Sequence, residues 1–283
     1  MQTVNVVLGV LNKNIVSQFE KRRSGPKGYG LLCILKLLLY SVLAEIFSTR
    51  RLDKHLKKRR KVLKALGFSG LPDRRTLDRW NGKYDDMLDD LIKLVGDRYL
   101  QLNESEWTIL DSTPIEHRQD PDARKGYSSK GEFWGFKVHA SCDEYCVPLR
   151  ATFTTGNVHD SAQAHNILAP TPKVGGDSAY DFRELKITVL GQGSKEYFVH
   201  NPRREGKENK KPTPKILKKK RVCVEQCNSI LKCQVLHDSW ILVKEFHKKA
   251  TRCLLAVLAM QALATYNLIH YGYPGLRIGD LRA

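Results

Sequence analysis

The sequence predicts an α/β protein, in which an all-helical N-terminal region precedes a mixed sheet flanked by helices. Two observations support this class. Up to about residue 100 the apolar residues recur at helical spacing, whereas from Trp107 onwards short β-rich runs alternate with helical ones. We therefore predict a helical region at 1–102 and an α/β domain at 103–283, which includes a basic loop at 202–221 and a C-terminal helix.

The charge of the chain restricts its possible partners. The 283 residues contain 48 Lys and Arg against 30 Asp and Glu, which gives a formal net charge of +18. A protein with such an excess of cations most often meets a polyanion, and nucleic acid is the default candidate. The alternative is a ribosome-associated or merely basic protein. Hydrophobic residues make up 41% of the chain, which is enough to build a core and argues against global disorder.

Two apolar stretches have to be considered as membrane spans. Residues 31–47 include Lys36 and Glu45, and residues 253–264 are too few and follow a basic cluster. A span needs about twenty mostly uncharged residues, so both stretches are interpreted as buried helices. The first residues lack the pattern of a secretory signal peptide. We therefore expect a cytoplasmic protein with no membrane partner.

The seven cysteines are an odd number, which argues against a disulfide framework. Cys142 with Cys146 and Cys223 with Cys227 form two C-x3-C pairs, a spacing found in structural zinc sites. However, the second pair lies in a helical pattern, and free cysteine is a common small core residue. We favour the core interpretation over a zinc site.

Several short basic helices are predicted in the N-terminal region. Residues 50–66 place leucines at helical spacing with cations between them, and Gly67 follows as a helix C-terminal signal. Another helix is predicted to begin after Asp73 as its N-cap, with an exposed face that carries Arg74, Arg75 and Arg79. Such helices are typical of helix-turn-helix-like DNA-binding modules, and the alternative is a bundle with a solvated basic surface. We favour DNA contact through these three arginines.

The α/β region follows a pattern of strands and short helices. Strands are predicted at 107–110, 133–141, 147–155 and 196–200, with a shorter strand at Val174, a turn at Asp143-Glu144 and a helix at 161–168. Together these elements predict a mixed sheet.

Three acidic residues occupy positions suited to metal chemistry. Asp111 follows a strand in TILDSTP, Asp177 follows a strand in GGDSAYD, and Glu225 lies on a helix in RVCVEQCNSILK. Carboxylates at strand ends, with one from a packed helix, can converge outside the edge of an α/β sheet. Such ligands suit Mg²⁺ or Mn²⁺, and two of these ions can drive phosphodiester chemistry. Each acid alone also has an ordinary explanation, as a turn residue or as half of an ion pair.

The GGDSAYD segment contains two aspartates, and we assign the metal to the first. Gly175 and Gly176 allow the backbone to pass close to its neighbours, and Asp177 is then presented at the end of the strand. We expect Tyr180 to pack against the fold and Asp181 to cap the next helix.

The helix around Glu225 also predicts contacts with a DNA backbone. Arg221, Glu225, Asn228 and Lys232 are spaced i, i+4, i+7 and i+11 and therefore share a helix face. The two cations would bind phosphates on either side of the acid, with Asn228 as a further DNA contact. The alternative is an intrahelical pair between Arg221 and Glu225.

Four further residues in the β-rich part are candidates for supporting roles. Lys137 and His139 lie two apart on a strand and point to one side, where Lys137 could contact DNA, although a structural histidine is as good an interpretation of His139. His159 and Asp160 are interpreted as residues that order a loop or support the metal ligands.

With these motifs in place, the sequence resembles the DDE transposases of bacterial and archaeal insertion sequences over nearly its whole length. The most specific segments are ILDSTPI around Asp111, residues 135–161, GDSAYD around Asp177, and R-x3-E-x6-K from Arg221 to Lys232. The resemblance implies a ribonuclease H-like catalytic domain whose catalytic, metal-binding acids are Asp111, Asp177 and Glu225. The Tyr that opens the family's Y-R-E-K-type third motif is replaced by Lys218.

The resemblance implies an insertion-sequence transposase associated with the nucleoid of a prokaryotic cell. Such an enzyme uses two Mg²⁺ or Mn²⁺ ions to cleave double-stranded DNA at terminal inverted repeats, and then joins the 3′ hydroxyl to target DNA. Synapsis of two ends implies a homodimer or a higher oligomer on DNA. Two alternatives remain: a metal-dependent nuclease without strand transfer, and a domesticated or inactive relative that only binds DNA.

Overall fold

The computed structural model describes residues 13–19, 28–128, 130–201 and 212–276, so part of the basic loop predicted at 202–221 lies outside the described residues. The N-terminal part is helical, as predicted. Its helices are α1 (Lys13–Val16), α2 (Leu31–Leu43), α3 (Thr49–Lys58), α4 (Arg60–Ala65), α5 (Arg74–Trp80) and α6 (Asp85–Leu102).

One helix predicted at 50–66 is two helices in the structure. The chain leaves helical geometry at Arg59, which has φ −124° and ψ 59°. Five consecutive cations at 57–61 surround this break, and like charges on neighbouring turns weaken a helix. The next helix starts as predicted, because the Asp73 carboxylate accepts a hydrogen bond of 2.8 Å from the backbone N–H of Arg75.

A mixed six-stranded sheet forms the second part of the fold. Its strands are β1 (Trp107–Glu116), β2 (Arg124–Ser128), β3 (Gly131–Cys142), β4 (Pro148–Thr155), β5 (Lys173–Gly176) and β6 (Lys195–Phe198). The strand order is β2-β3-β1-β5-β6, and β4 pairs with β3. The first four strands pair in antiparallel fashion, whereas β1, β5 and β6 are parallel to one another. The predicted α/β class is confirmed.

The α/β part of the chain differs from the prediction in three places. The strand predicted to end at Leu110 continues through Asp111 to Glu116, because these residues pair with β3. Strand β2 was not predicted, since its sequence RKGYS has no apolar alternation and buries only Gly126. The helix predicted at 161–168 is reduced to a single turn, α7 (Asp160–Gln163).

Three longer helices complete the α/β part: α8 (Arg183–Gly191), α9 (Lys215–Ser229) and α10 (Phe246–Tyr271). Helix α10 is long and apolar enough to cross a membrane by length and composition, but 78% of its apolar window is buried inside the protein. It packs on α2, α6 and β4, and its buried Gln261 donates hydrogen bonds to the carbonyls of Ile92 and Leu149. These contacts are those of a core helix.

Helix α6 ends at Leu102, and the domain boundary at 102–103 stays a prediction. Apolar residues on both sides of it belong to one continuous core, which includes Leu37, Leu91, Ile109, Phe136 and Leu258. The helical part is therefore packed directly on the sheet that carries the candidate site.

Candidate active site

Asp111 and Asp177 are neighbours because of the register between the parallel strands β1 and β5, and they lie where the pairing of these two strands ends. Leu110 of β1 pairs with Gly176 of β5, and each aspartate is the next residue of its chain. The sequence predicted both acids at strand ends. Asp177 does follow the last residue of β5, whereas Asp111 lies inside β1, at the point where its parallel pairing with β5 stops.

The two glycines before Asp177 allow the close packing that places it. A Cβ on Gly175 would lie 2.7 Å from Cδ1 of Leu217 on α9, and a Cβ on Gly176 would lie 2.8 Å from Cδ2 of Tyr180. Real Cβ atoms do not approach other atoms so closely. Glycine at these positions therefore lets α9 and the buried ring of Tyr180 pack directly on β5.

The Asp177 carboxylate also orders the turn that follows. Its Oδ1 accepts a hydrogen bond of 2.9 Å from the backbone N–H of Ala179, which caps a short 3₁₀ helix over Ser178–Tyr180. The prediction that Asp181 caps the next helix is wrong. Asp181 is buried and accepts from the backbone N–H of Asn201 at 2.6 Å, and α8 begins two residues later.

The electrostatics of the two aspartates are unfavourable when both are ionised. Burial raises the pKa of Asp111 to about 7, and the nearby charges of Asp177 and Asp160 contribute to this rise. Burial also raises the pKa of Asp177, again with a contribution from Asp160. The guanidinium of Arg221 acts in the opposite direction on the pKa of both carboxyls. A bound cation would relieve this repulsion.

Helix α9 contacts the acidic pair through Asn228. The Nδ2 of Asn228 donates a hydrogen bond of 3.0 Å to Oδ2 of Asp111, while Oδ1 of Asn228 is buried and has no hydrogen-bond partner among the described residues. Glu225 lies one turn earlier on the same helix, and its side chain is exposed. Within the described residues, no three His, Cys, Asp or Glu side chains are arranged to hold a metal ion. The structure brings Asp111 and Asp177 together and places Glu225 on the adjoining helix.

The cations predicted on this helix occupy different environments. Arg221 lies close enough to Asp111 and Asp177 to lower the pKa of each. The regular helix ends at Ser229 and continues as a π-helical segment over Ile230–Leu236, which contains Lys232. The prediction that Lys232 shares a helix face with Arg221 assumed a regular α-helix, whereas Lys232 lies in the π-helical segment, so the shared face stays a prediction.

Lys137 and His139 surround Asp160 in a small polar cluster. The Nζ of Lys137 donates to Oδ1 of Asp160 at 2.8 Å and to the carbonyl of Val158 at 3.2 Å, and Lys137 is buried. The Nδ1 of His139 lies 3.5 Å from the same carboxylate oxygen. Lys137, which the sequence suggested as a DNA contact, therefore has its ammonium group bound inside the protein. Asp160 also lies close enough to Asp111 and Asp177 to raise the pKa of each, which agrees with its interpretation as a residue that supports the metal ligands.

His159 orders the loop before Asp160, in agreement with its interpretation. Its Nδ1 accepts from the backbone N–H of Ser161 at 3.2 Å and caps α7.

In the N-terminal part, the three arginines predicted to contact DNA are all exposed on α5: Arg74, Arg75 and Arg79.

The residues present fit a hard divalent cation. Mg²⁺ usually keeps several waters and is bound through one or two carboxylates, and Asp111 and Asp177 supply two. Burial is the main reason that both pKa values are raised, with a smaller contribution from neighbouring carboxylates, and a bound cation would stabilise the ionised form of each acid. The unpartnered Oδ1 of Asn228 adds a further oxygen next to Asp111.

The mixed sheet with its flanking helices is that of a ribonuclease H-like α/β protein. Two carboxylates lie where the pairing of its parallel strands β1 and β5 ends. Residues 103–260 match the family model described as "Transposase DDE domain". This match covers more than half of the 283 residues, and the chain belongs to the DDE transposase family. No curated protein and no solved structure gives a significant match.

Proposed function

We propose that the protein is an insertion-sequence transposase that cleaves DNA at the ends of its element and joins the freed 3′ hydroxyl to target DNA. Membership of the DDE transposase family supports a polynucleotidyl transferase. The observation that carries the proposal is the adjacency of Asp111 and Asp177, fixed by the pairing of Leu110 with Gly176.

The chain's own residues have distinct roles in this proposal. Asp111 and Asp177 would hold divalent cations, with Glu225 as the third acid from the adjoining helix. Two such ions activate the attacking oxygen and stabilise the leaving oxygen when they are bound. Asn228 orients Asp111 through its hydrogen bond of 3.0 Å. Because Glu225 is exposed, it is available to approach the pair when DNA binds.

DNA would be held by cations outside the acidic pair. Arg221 lies beside both aspartates and is placed to bind the phosphate next to the reacting one. Lys232 extends this contact from the π-helical segment, and the arginines of α5 are exposed for contact with the element ends. The net charge of +18 supports a polyanionic partner. Synapsis of two ends requires at least a dimer on DNA, and we place this activity in a prokaryotic cytoplasm.

A strand-transfer assay tests the proposal. The full-length protein is incubated with Mg²⁺ or Mn²⁺, a labelled DNA that carries the native element ends, and a supercoiled target plasmid. We expect cleavage at the 3′ ends followed by joined products. Cleavage without joining would instead identify a nuclease, and metal-independent binding without cleavage would identify a DNA-binding relative. Activity that survives Asp177→Asn would exclude the proposed metal site.

A further inference from the structure

The two C-x3-C pairs meet at the interface between the sheet and helix α9. Cys142 is the last residue of β3, and Cys146 lies in the turn that leads to β4. Cys223 and Cys227 are one turn apart on α9. Cys142 and Cys227 are buried, whereas Cys146 and Cys223 are partly exposed. The pairs are distant in sequence, so the fold itself brings them together.

Direct contacts join the turn to the helix at this point. The Sγ of Cys146 donates to Oε1 of Gln226 at 3.1 Å, and the Sγ of Cys223 donates to the carbonyl oxygen of Glu144 at 3.3 Å. Cys146 and Cys223 each influence the pKa of the other thiol, and Cys227 influences the pKa of Cys142. Cysteines at the end of β3 and in the following turn therefore lie near cysteines of the helix.

The backbone at Cys146 is also unusual. Its φ is +64°, in the left-handed region that favours glycine or asparagine. A side chain kept at such a position costs conformational energy, and strained residues concentrate where their side chain has a task. Here the conformation directs a thiol against α9.

We propose that Cys146 and Cys223 form a reversible disulfide that fastens helix α9 to the β3–β4 turn. The arrangement in neighbouring pairs favours a disulfide over a metal site, because none of the described residues forms a metal-binding group of three or more. The partial exposure of both thiols gives an oxidant access, which the buried pair of Cys142 and Cys227 lacks. Burial raises the pKa of Cys146 to about 12 and also raises the pKa of Cys223, so we expect the bond to form faster at alkaline pH, where more thiolate is present.

A peroxide supplies the oxidising equivalents for this step. Both S–H bonds break and one S–S bond forms, while the O–O bond of hydrogen peroxide breaks and its oxygens leave as two water molecules. A dithiol such as dithiothreitol reverses the reaction by thiol–disulfide exchange. The thiols need to reach the short geometry of a disulfide, with Cα atoms about 4.4–6.8 Å apart.

The position of the disulfide links it to the acidic site. Glu225 lies between Cys223 and Cys227, and Asn228 contacts Asp111 from the next turn. A covalent link at Cys223 restricts the movement of this helix segment, so we expect oxidation to reduce DNA cleavage several-fold. This consequence rests on the proposed function, whereas disulfide formation itself does not.

Peptide mapping of the full-length protein tests the bond. The protein is treated with hydrogen peroxide, remaining thiols are blocked with N-ethylmaleimide, and the chain is cut after glutamate. Cuts after Glu144 and Glu225 separate the cysteines of each C-x3-C pair, so that each of the four linkages between the two pairs gives a different peptide. We expect a Cys146–Cys223 peptide that disappears with dithiothreitol and in Cys146→Ser. The matched control is Cys233→Ser, which removes an exposed thiol and leaves the linkage intact.

Two results would overturn the proposal. One is a folded, oxidised protein without the Cys146–Cys223 peptide. The other is about one equivalent of zinc per chain that is lost in Cys146→Ser, which would identify a metal site instead. The Asp111→Asn variant distinguishes failure of the disulfide proposal from failure of the proposed function. It lacks one acid of the candidate site, yet its disulfide should form normally, because disulfide formation does not depend on transposase activity.

Discussion

The side-chain amide of Asn228 donates a hydrogen bond of 3.0 Å to the carboxylate of Asp111, and this bond ties helix α9 to strand β1 at the candidate site. Asn228 lies three residues after Glu225, so the contact also sets the distance of that acid from the sheet. The interaction was not evident in the sequence, where Asn228 was predicted to contact DNA.

Replacing Asn228 tests its role as a positioning residue. We expect Asn228→Ala to reduce metal-dependent cleavage by about 10–100-fold, the loss typical when a group that orients a metal ligand is removed. The concentration of Mn²⁺ at half-maximal activity should rise, while binding of DNA without metal stays unchanged. Ser229→Ala, at the adjacent exposed residue, is the control. An unchanged Mn²⁺ requirement would refute the positioning role.

Removal of either aspartate of the pair should have a larger effect. Asp111→Asn and Asp177→Asn keep the size of the side chain but lose its charge, so we expect cleavage to fall beyond the roughly 100-fold loss of a supporting residue. Cleavage of labelled element ends measures this effect. The exposed Glu184 in the first turn of α8 provides the control Glu184→Gln, which should retain activity.

The raised pKa of Asp111 predicts a pH dependence of stability. This pKa is about 7 in the folded protein, against about 3.9 in an unfolded chain. Between these values the folded state binds the proton more tightly, so the free energy of unfolding falls as pH rises from about 4 to about 7. We expect the metal-free protein to lose roughly 1–4 kcal/mol through this group over that window.

Urea denaturation in EDTA at pH 5 and pH 7.5 measures this change. Asp111→Asn should reduce the difference between the two pH values, to which Asp89 and Asp143 also contribute because burial raises the pKa of each to about 7. The control is Glu104→Gln, at an exposed carboxylate after α6, which should leave the difference unchanged. Addition of Mg²⁺ at pH 7.5 should stabilise the wild type and leave Asp111→Asn less affected, because a cation compensates the charges that are otherwise uncompensated. Equal pH slopes in Asp111→Asn and the wild type would contradict the assignment.

The close packing around the two glycines before Asp177 predicts that a side chain added at either position destabilises the protein. Gly175→Ala and Gly176→Ala place a methyl group against Leu217 and Tyr180, with contacts of 2.7 and 2.8 Å that force neighbouring atoms to shift. We expect each substitution to lower the free energy of unfolding by about 1–3 kcal/mol. Gly191→Ala is the matched control, since no atom lies within 4 Å of the added Cβ. Chemical denaturation measures the free energy of unfolding of the two variants and of the control.

The exposed arginines of α5 predict a change in the salt dependence of DNA binding. Arg75→Ala should weaken binding of element ends and lower the slope of log K against log salt concentration by about 1, since one phosphate contact releases about one counterion. The control is Lys125→Ala, because Lys125 is exposed but already pairs with Glu132 at 2.8 Å. Fluorescence anisotropy at several salt concentrations gives both slopes. Equal slopes for Arg75→Ala and wild type would remove this arginine from the DNA interface.

Local patterns predicted much of the fold. Helix α6 is recognisable from the sequence, because its apolar positions follow one face and two aspartates occupy its first turn. Asp73 was recognisable as an N-cap from its type and position. Strand β2 was not recognisable, since it is stabilised by pairing with β3 rather than by apolar residues of its own.

The sequence predicted that Asp111 and Asp177 lie at strand ends and converge, but it did not predict their surroundings. Asp111 and Asp177 were identified from strand ends and from the family resemblance. The approach of Asp160 and the burial of Lys137 depend on how the β4–β5 connection folds back over β3, which no spacing in the sequence encodes. Likewise, the π-helical segment after Ser229, which contains Lys232, was not recognisable from the spacing of the residues.

The pairing of Leu110 with Gly176 has a consequence for how this site can vary. Side chains alternate between the faces of a strand, so a slip of one residue would move Asp177 along the sheet edge and reverse the faces on which Gly175 and Gly176 lie. Main-chain hydrogen bonds therefore set the spacing of the two carboxylates more firmly than any rotamer does. A single-residue deletion in β5 should abolish the site, even though every acidic residue would still be present.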